Sequence, residues 1–183
     1  RRASQCASSL MELLVAIAVG SIVLAAVMQT FVFSSRSFVA LGNYNDLDKA
    51  SRNTLDIMTR DIRQAKVFGG SYYSTNYMWF TNLNGSVFGY TWDPGAKTVS
   101  RLTADFNGTN LVNIQSNVLM KGCDLFSFRI WLRNPTNQFW FPYSANSQPN
   151  ATKLVDVSWR CSRRVIAQFN TESVQTAKIV LRN

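Results

Sequence analysis

SSLMELLVAIAVGSIVLAAVMQTFVF, at residues 8–33, contains a single charged residue, Glu12, in an otherwise apolar run that begins at Leu10. A helix of about 20 apolar residues spans the hydrocarbon core of a bilayer, and this run reaches that length. We therefore predict a transmembrane helix over residues 8–33. Arg1 and Arg2 precede it, which predicts a single span with a cytoplasmic N-terminus and the rest of the chain outside.

Two other interpretations fit this run less well. The apolar region of a secretory signal peptide is shorter and ends at a small-residue cleavage site, which is not seen after Phe33. A helix in the core of a soluble domain has one apolar stripe, whereas this run is apolar all round. A membrane span remains the prediction.

The helical pattern continues past the apolar run. The acid-before-base pairs Asp48–Arg52 and Asp56–Arg60 have the i,i+4 spacing that stabilises a helix. We predict an amphipathic helical segment over residues 34–68, continuous from Ser9 to about Val67 and stopped by two glycines. Its apolar residues recur mostly at spacings of three or four, with a slip near residue 51: Phe38, Leu41, Tyr44, Leu47, Ala50, Leu55, Met58, Ile62 and Ala65.

The amino-acid composition changes over residues 69–183, and this part of the chain favours strands. Aromatic residues, Thr, Asn and Gly dominate, and each predicted strand has one apolar face. That pattern suits an antiparallel sheet covered on one side by the amphipathic helix, so the predicted fold class is α+β, with a β-rich head. The predicted strands are 77–81, 87–92, 98–103, 111–115, 125–132, 154–161 and 177–181.

The composition argues against an enzyme. The 183-residue chain has no histidine, which excludes Ser-His-Asp and Cys-His catalysis and removes the commonest zinc ligand. It also lacks the P-loop, CxxC, HExxH and GxSxG motifs. We predict no cofactor and no metal. The acidic residues show no clustered spacing that would assign a calcium ion.

A net charge of +9 permits an acidic partner. The densest basic group is Arg160, Arg163 and Arg164, a candidate patch for an anionic ligand. A solvated basic surface is the favoured interpretation, because no aromatic residues alternate with these arginines as they do in single-strand binders. Nucleic acid is therefore the less favoured partner.

Cys123 and Cys161 are the two cysteines that follow the apolar run, and an oxidising compartment favours one disulfide between them. Two buried free thiols are the alternative. The alternation of side chains along a strand argues against pairing. Cys161 falls on the apolar face of its strand, whereas Cys123 falls on the face of Arg129 and not on the apolar face of Phe128.

Residues 8–18, SSLMELLVAIA, resemble the type IV pilin-like signature, in which a short basic leader meets a phenylalanine-threonine-leucine-x-glutamate stretch and an apolar helix. The resemblance implies a leader remnant over residues 1–7 and cleavage between Ala7 and Ser8 by a leader peptidase, usually followed by methylation. It implies an assembly role for Glu12. Ala7 and Ser8 stand where the family usually has glycine and phenylalanine. Ser9 and Glu12 also form a capping box, S-x-x-E, and both roles are compatible.

A second, narrower resemblance concerns the head. The sequence LDIMTRDIRQA at residues 55–65, GSV at 85–87 with Tyr90 and Arg101, and Gly122-Cys123 are similar to J-type minor pseudopilins of type II secretion and W-type minor pilins. This resemblance implies an inner-membrane subunit with a periplasmic or extracellular head. Its implied partners are other pilin-like subunits and membrane lipid. A pilus-tip minor pilin that binds DNA or a surface is the alternative function.

Overall fold

A computed structural model describes residues 3–68, 76–82, 84–107, 110–133, 140–142, 152–165 and 169–181. Helix α1 (Ala3–Gln64) comes first. It is followed by strands β1 (Ala65–Phe68), β2 (Tyr77–Asn82), β3 (Val87–Asp93), β4 (Thr98–Asn107), β5 (Asn110–Lys121), β6 (Cys123–Arg133), β7 (Trp140–Pro142), β8 (Thr152–Val165) and β9 (Phe169–Val180). The chain divides into two compact units between Gly42 and Asn43.

The predicted α+β class is confirmed, but the strands of the head form two antiparallel sheets rather than one. Sheet A has the order β1-β2-β3-β4-β5, and sheet B has the order β7-β6-β8-β9. All seven predicted strands are present, and several extend further than predicted. Strand β7 lies in a segment that has no predicted strand.

Helix α1 ends earlier than its sequence pattern predicts. The prediction of helix to about Val67 is wrong for its last residues, because β1 takes over at Ala65. Ala65 pairs with Asn82, and Phe68 pairs with Phe80, so hydrogen bonds to β2 replace those of another helical turn. Val67 and Phe68 are also residue types that favour strands. The predicted Gly69-Gly70 stop lies outside the described residues.

The second unit has one main core, to which α1 and both sheets contribute. Met58 and Ile62 of α1 are fully buried, as are Tyr90 of sheet A and Val157 of sheet B. A smaller cluster lies on the opposite face of sheet A around Trp79, whose ring covers Gly89 on the neighbouring strand. A Cβ atom at Gly89 would lie 2.7 Å from that ring.

The slip in helical spacing near residue 51 has a structural cause. The buried stripe of α1 runs through two polar residues, Ser51 and Thr54, between Leu47 and Met58. Counting these residues restores the spacing of three and four that a helix requires. Ser51 accepts a hydrogen bond from Trp159 Nε1 at 2.8 Å, and Thr54 Oγ1 donates one to the Ala50 carbonyl. The hydrogen bonds offset the cost of burying these hydroxyls.

Candidate functional site

Glu12 lies in the apolar part of α1, between the exposed side chains of Met11 and Leu13. The Glu12 side chain is itself exposed and makes no ion pair with any residue that the structure describes. Because α1 already begins at Ala3, Ser9 lies inside the helix and does not cap it. Ala7 and Ser8 are also helical, and their side chains are outside the described part of the chain.

The helix around Glu12 is suited to lipid. The segment that starts at Leu10 is long and apolar enough to cross a membrane, with a mean hydropathy of 2.5 over its best window and none of that window buried. Its few hydroxyls bond to the helix backbone. Ser21 Oγ donates to the Ala18 carbonyl at 2.8 Å, and Thr30 Oγ1 donates to the Ala26 carbonyl at 3.0 Å. Hydroxyls satisfied in this way need no water.

A polar cluster fastens the other end of α1 to sheet A. Asp61 is 8% exposed and accepts two hydrogen bonds on Oδ2, from Tyr90 Oη at 2.8 Å and from Arg101 Nε at 2.6 Å. Burial, reinforced by the Asp61 carboxylate, raises the pKa of Tyr90 far above its ordinary value, so the phenol remains a donor. The sequence resemblance names Tyr90 with Arg101 and contains Asp61 only within the stretch 55–65, and only the fold brings the three residues into contact.

The cysteine prediction is confirmed, since Cys123 of β6 and Cys161 of β8 form a disulfide. They face each other in the ladder, yet two residues later Leu125 pairs with Arg160, so the register shifts by one between Cys123 and Leu125. This β-bulge turns Cys123 to the same buried face as Phe126. The argument against pairing fails because a bulge exchanges the two faces for the residues before it. The alternation of residue types along the sequence does not reveal where a bulge occurs.

The bulge also forms a polar junction between the sheets that sequence reasoning missed. The carboxylate of the bulged residue, Asp124, accepts hydrogen bonds from Lys97 Nζ at 2.6 Å and from Ser162 Oγ. These bonds hold the pKa of the Asp124 carboxyl below its ordinary value. Gly122 has φ of +76°, and a Cβ there would lie 2.6 Å from the Ser162 carbonyl oxygen. Glycine is therefore required at this approach.

The three arginines of the candidate anion patch lie on strand β8, but not on one face. Arg163 shares the face of Trp159 and pairs with Asp46 of α1 at 2.9 Å. Arg160 and Arg164 are exposed on the opposite face, because side chains alternate along a strand. The structure does not gather the three guanidinium groups into a single patch.

The predicted i,i+4 pairs of α1 differ in outcome. Asp48 and Arg52 form the predicted ion pair, with 2.8 Å between Oδ2 and Nε. Asp56 and Arg60, both among the described residues, do not form one. Within the described part of the chain, no group of three or more His, Cys, Asp or Glu residues could hold a metal ion.

Comparison with known proteins gives a match at the N-terminus. No curated protein matches the chain significantly. Residues 2–28 match the family described as the prokaryotic N-terminal methylation motif, and this range contains Ala7, Ser8, Glu12 and most of the apolar run. The chain therefore carries, on the first part of α1, the leader of the type IV pilin-like proteins.

Proposed function

We propose that this protein is a structural or assembly subunit, and not an enzyme. It would act as a minor pseudopilin of a type II secretion pseudopilus or as a minor pilin of a type IV pilus. The observation that carries the proposal is the methylation motif on residues 2–28, set in an exposed apolar helix. A leader of this kind implies assembly with other pilin-like subunits.

The head supports the J-type or W-type assignment. The two parts of that resemblance, the end of α1 and the pattern in sheet A, meet in the contact of Asp61 with Tyr90 and Arg101. A third part, Gly122-Cys123, forms the tight approach and the disulfide. The first contact holds the end of α1 against sheet A, and the disulfide ties β6 to β8 in sheet B. A subunit needs such a firmly joined head if its helix is anchored in a filament and its head is displayed outside.

The proposed life cycle follows from the leader. The chain inserts into the inner membrane with a cytoplasmic N-terminus and a periplasmic or extracellular head. Leader peptidase cuts between Ala7 and Ser8 and methylates the new N-terminus. Glu12 then lies four residues after the new terminal amine at Ser8, close to the start of the apolar run.

The role proposed for Glu12 is to pair with the terminal amine of a neighbouring subunit. An isolated carboxylate in lipid costs several kcal/mol, and no described side chain pairs with it within the chain. An amine from a neighbour would offset that cost, since opposite charges attract more strongly at low dielectric, although desolvation cancels much of the gain. A simple anchor has no need of this carboxylate.

The test is Glu12→Leu, which makes the run more apolar and should leave membrane insertion intact or improved. We expect normal abundance in the membrane and a sharp fall in incorporation into filaments. Glu12→Asp should be intermediate, because it keeps the charge and shortens the reach. Met11→Leu is the matched control, since it changes a neighbouring exposed side chain without changing charge.

Incorporation should be measured by filament yield and by co-purification with other pilin-like subunits. A subunit at the filament tip has no neighbour above it, and co-purification detects its assembly even when yield does not. Normal incorporation of Glu12→Leu by both measurements would refute the pairing role.

A further inference from the structure

No residue that the structure describes covers the outer face of sheet B, and the side chains on this face follow a regular order. Along β6, β8 and β9, alternate residues face the core, and the residues between them face outward. Three apolar side chains stand exposed on this outer face: Leu125 at 48%, Val174 at 63% and Val180 at 52%.

The ladder arranges these outward residues in rows across the three strands. Leu125, Arg160 and Val174 form one row, and Trp131, Leu154 and Val180 form another. These two rows, which hold the exposed apolar side chains, lie about 20 Å apart, at roughly 3.3 Å per residue along a strand. Between them lie a hydroxyl row, Ser127, Ser158 and Thr176, and a charged row, Arg129, Asp156 and Lys178.

The charge of this outer face is strongly biased. Five basic residues are exposed on it, against three acidic residues on the same face, Asp124, Asp156 and Glu172, of which Asp124 is paired with Lys97. None of the five forms an ion pair with a described residue, whereas Lys97, Arg101 and Arg163 elsewhere in the head each do. The five are Arg129, Arg133, Arg160, Arg164 and Lys178.

We propose that the outer face of sheet B docks an acidic, folded surface of another pilin-like subunit, an inference that rests on the proposed function. Unpaired cations beside exposed apolar side chains suit a protein surface that supplies carboxylates and apolar contacts together. A second copy of this chain is disfavoured, because the same five cations would face one another on a chain of net charge +9.

A lipid surface and a nucleic acid fit this face less well. The hydroxyl and charged rows occupy the middle of a sheet face, so its apolar rows do not form a projecting edge that could enter a bilayer. Asp156 between Arg129 and Lys178 would repel a phosphate backbone. The same carboxylate could accept hydrogen bonds from a protein partner.

The test uses the full chain in its native membrane, with a photo-crosslinking amino acid at Thr176, in the hydroxyl row of this face, or at Ser116 on β5. Both positions are exposed. We expect Thr176 to crosslink to an Asp- and Glu-rich segment of a pilin-like subunit, identified by mass spectrometry, and Ser116 to give at most a weak adduct.

The edge strands of the two sheets offer a matched pair of variants. Val174→Asp with Lys178→Glu changes an exposed valine and an exposed lysine of β9, and Val118→Asp with Lys121→Glu makes the same changes on β5. The first pair should lower the Thr176 adduct about tenfold, and the second should leave it unchanged. Membrane abundance and an intact Cys123–Cys161 disulfide would show that both variants fold.

Four outcomes would overturn the inference: equal adducts in the two paired variants, an adduct with lipid, an adduct with nucleic acid, or an adduct with a second copy. A chain that co-purifies with filament subunits but gives no Thr176 adduct also refutes it, and leaves the proposed function standing. A chain that co-purifies with no such subunit refutes the proposed function itself.

Discussion

Helix α1 contains two parts that place opposite demands on their surroundings. From Leu10 to Phe33 its large apolar side chains are all exposed, and Glu12 is the single charge. From Leu47 to Gln64 the helix buries one stripe, which includes Met58, Asp61 and Ile62, and most of its other charged residues are exposed. One secondary structure thus serves two environments, and the distribution of polar groups around the helix distinguishes them.

The comparison shows where the stability of each part originates. The first part has no protein core to join within its unit, so a bilayer or other apolar helices must supply its apolar contacts. The second part is stabilised by the two sheets of its own unit. Changes in the second part should therefore alter the stability of the head, and changes in the first part should not.

Deleting residues 34–67 should have the largest effect. This deletion removes Met58, Ile62 and Asp61 together, which exposes the inner faces of both sheets. We expect the remaining head to aggregate, whereas residues 34–183 should form a soluble folded domain. Size-exclusion chromatography and thermal melting would compare the two fragments. A monomeric shorter fragment with a cooperative melt would show that the sheets do not need the helix.

Ile62→Ala and Ile22→Ala form a matched pair in the two parts. Ile62 is fully buried in the head, and its truncation should lower the free energy of unfolding by about 2–5 kcal/mol. Ile22 is 70% exposed in the apolar part, and its truncation should leave head unfolding unchanged. Chemical denaturation in detergent, followed by tryptophan fluorescence, measures both. Similar losses of unfolding free energy in both variants would contradict the division of α1 into two parts with different sources of stability.

Asp61→Asn should have a smaller effect, about 1–3 kcal/mol, because it weakens a partly buried, charge-assisted pair with Arg101 while keeping an oxygen acceptor for Tyr90. The control is Asp48→Asn, which breaks the exposed pair with Arg52 and should cost well under about 1 kcal/mol. Denaturant midpoints of both variants provide the comparison. Equal costs would mean that burial adds nothing at Asp61.

The smallest effect should be the contribution of Asp124 to acid sensitivity. Hydrogen bonds from Lys97 and Ser162 lower the pKa of Asp124 in the folded protein. Its contribution to the free energy of unfolding is therefore present above the ordinary carboxyl pKa and is lost as the pH falls through the lowered pKa of the folded state. Asp124→Asn should therefore lower the melting temperature near neutral pH and reduce its fall in acid. Melting curves at several pH values test this. If the melting temperature of the variant falls in acid as much as that of the parent protein, Asp124 does not contribute to the acid sensitivity.

Local patterns predicted much of this fold, and each failure has a physical reason. The membrane run, the amphipathic helix and seven strands follow from hydrophobic periodicity, which is a property of neighbouring residues. The end of α1 was predicted too late, because pairing of Ala65 with Asn82 is a long-range contact that competes with the last helical turn. Ser51 and Thr54 interrupted the apolar pattern, because their partners make polar residues acceptable in the core.

The candidate site divides in the same way. Ala7, Ser8 and Glu12 are recognisable from sequence alone, because the leader motif is a contiguous stretch of the chain and does not depend on the tertiary fold. The contact of Asp61 with Tyr90 and Arg101, the bulge at Asp124 and the pairing of Arg163 with Asp46 require the folded chain. Each depends on residues 29 or more positions apart or on a one-residue register shift.

The sequence by itself determined that an apolar helix precedes a β-rich head, because composition and periodicity select the solvent and the secondary structure of each segment. Only the tertiary structure decided that the head has two sheets, that a bulge aligns Cys123 with Cys161, and that five cations share one open face. Strand pairing sets these features. The free energy of pairing depends on which distant strands meet and in what register, and neither is encoded in any single stretch of the chain.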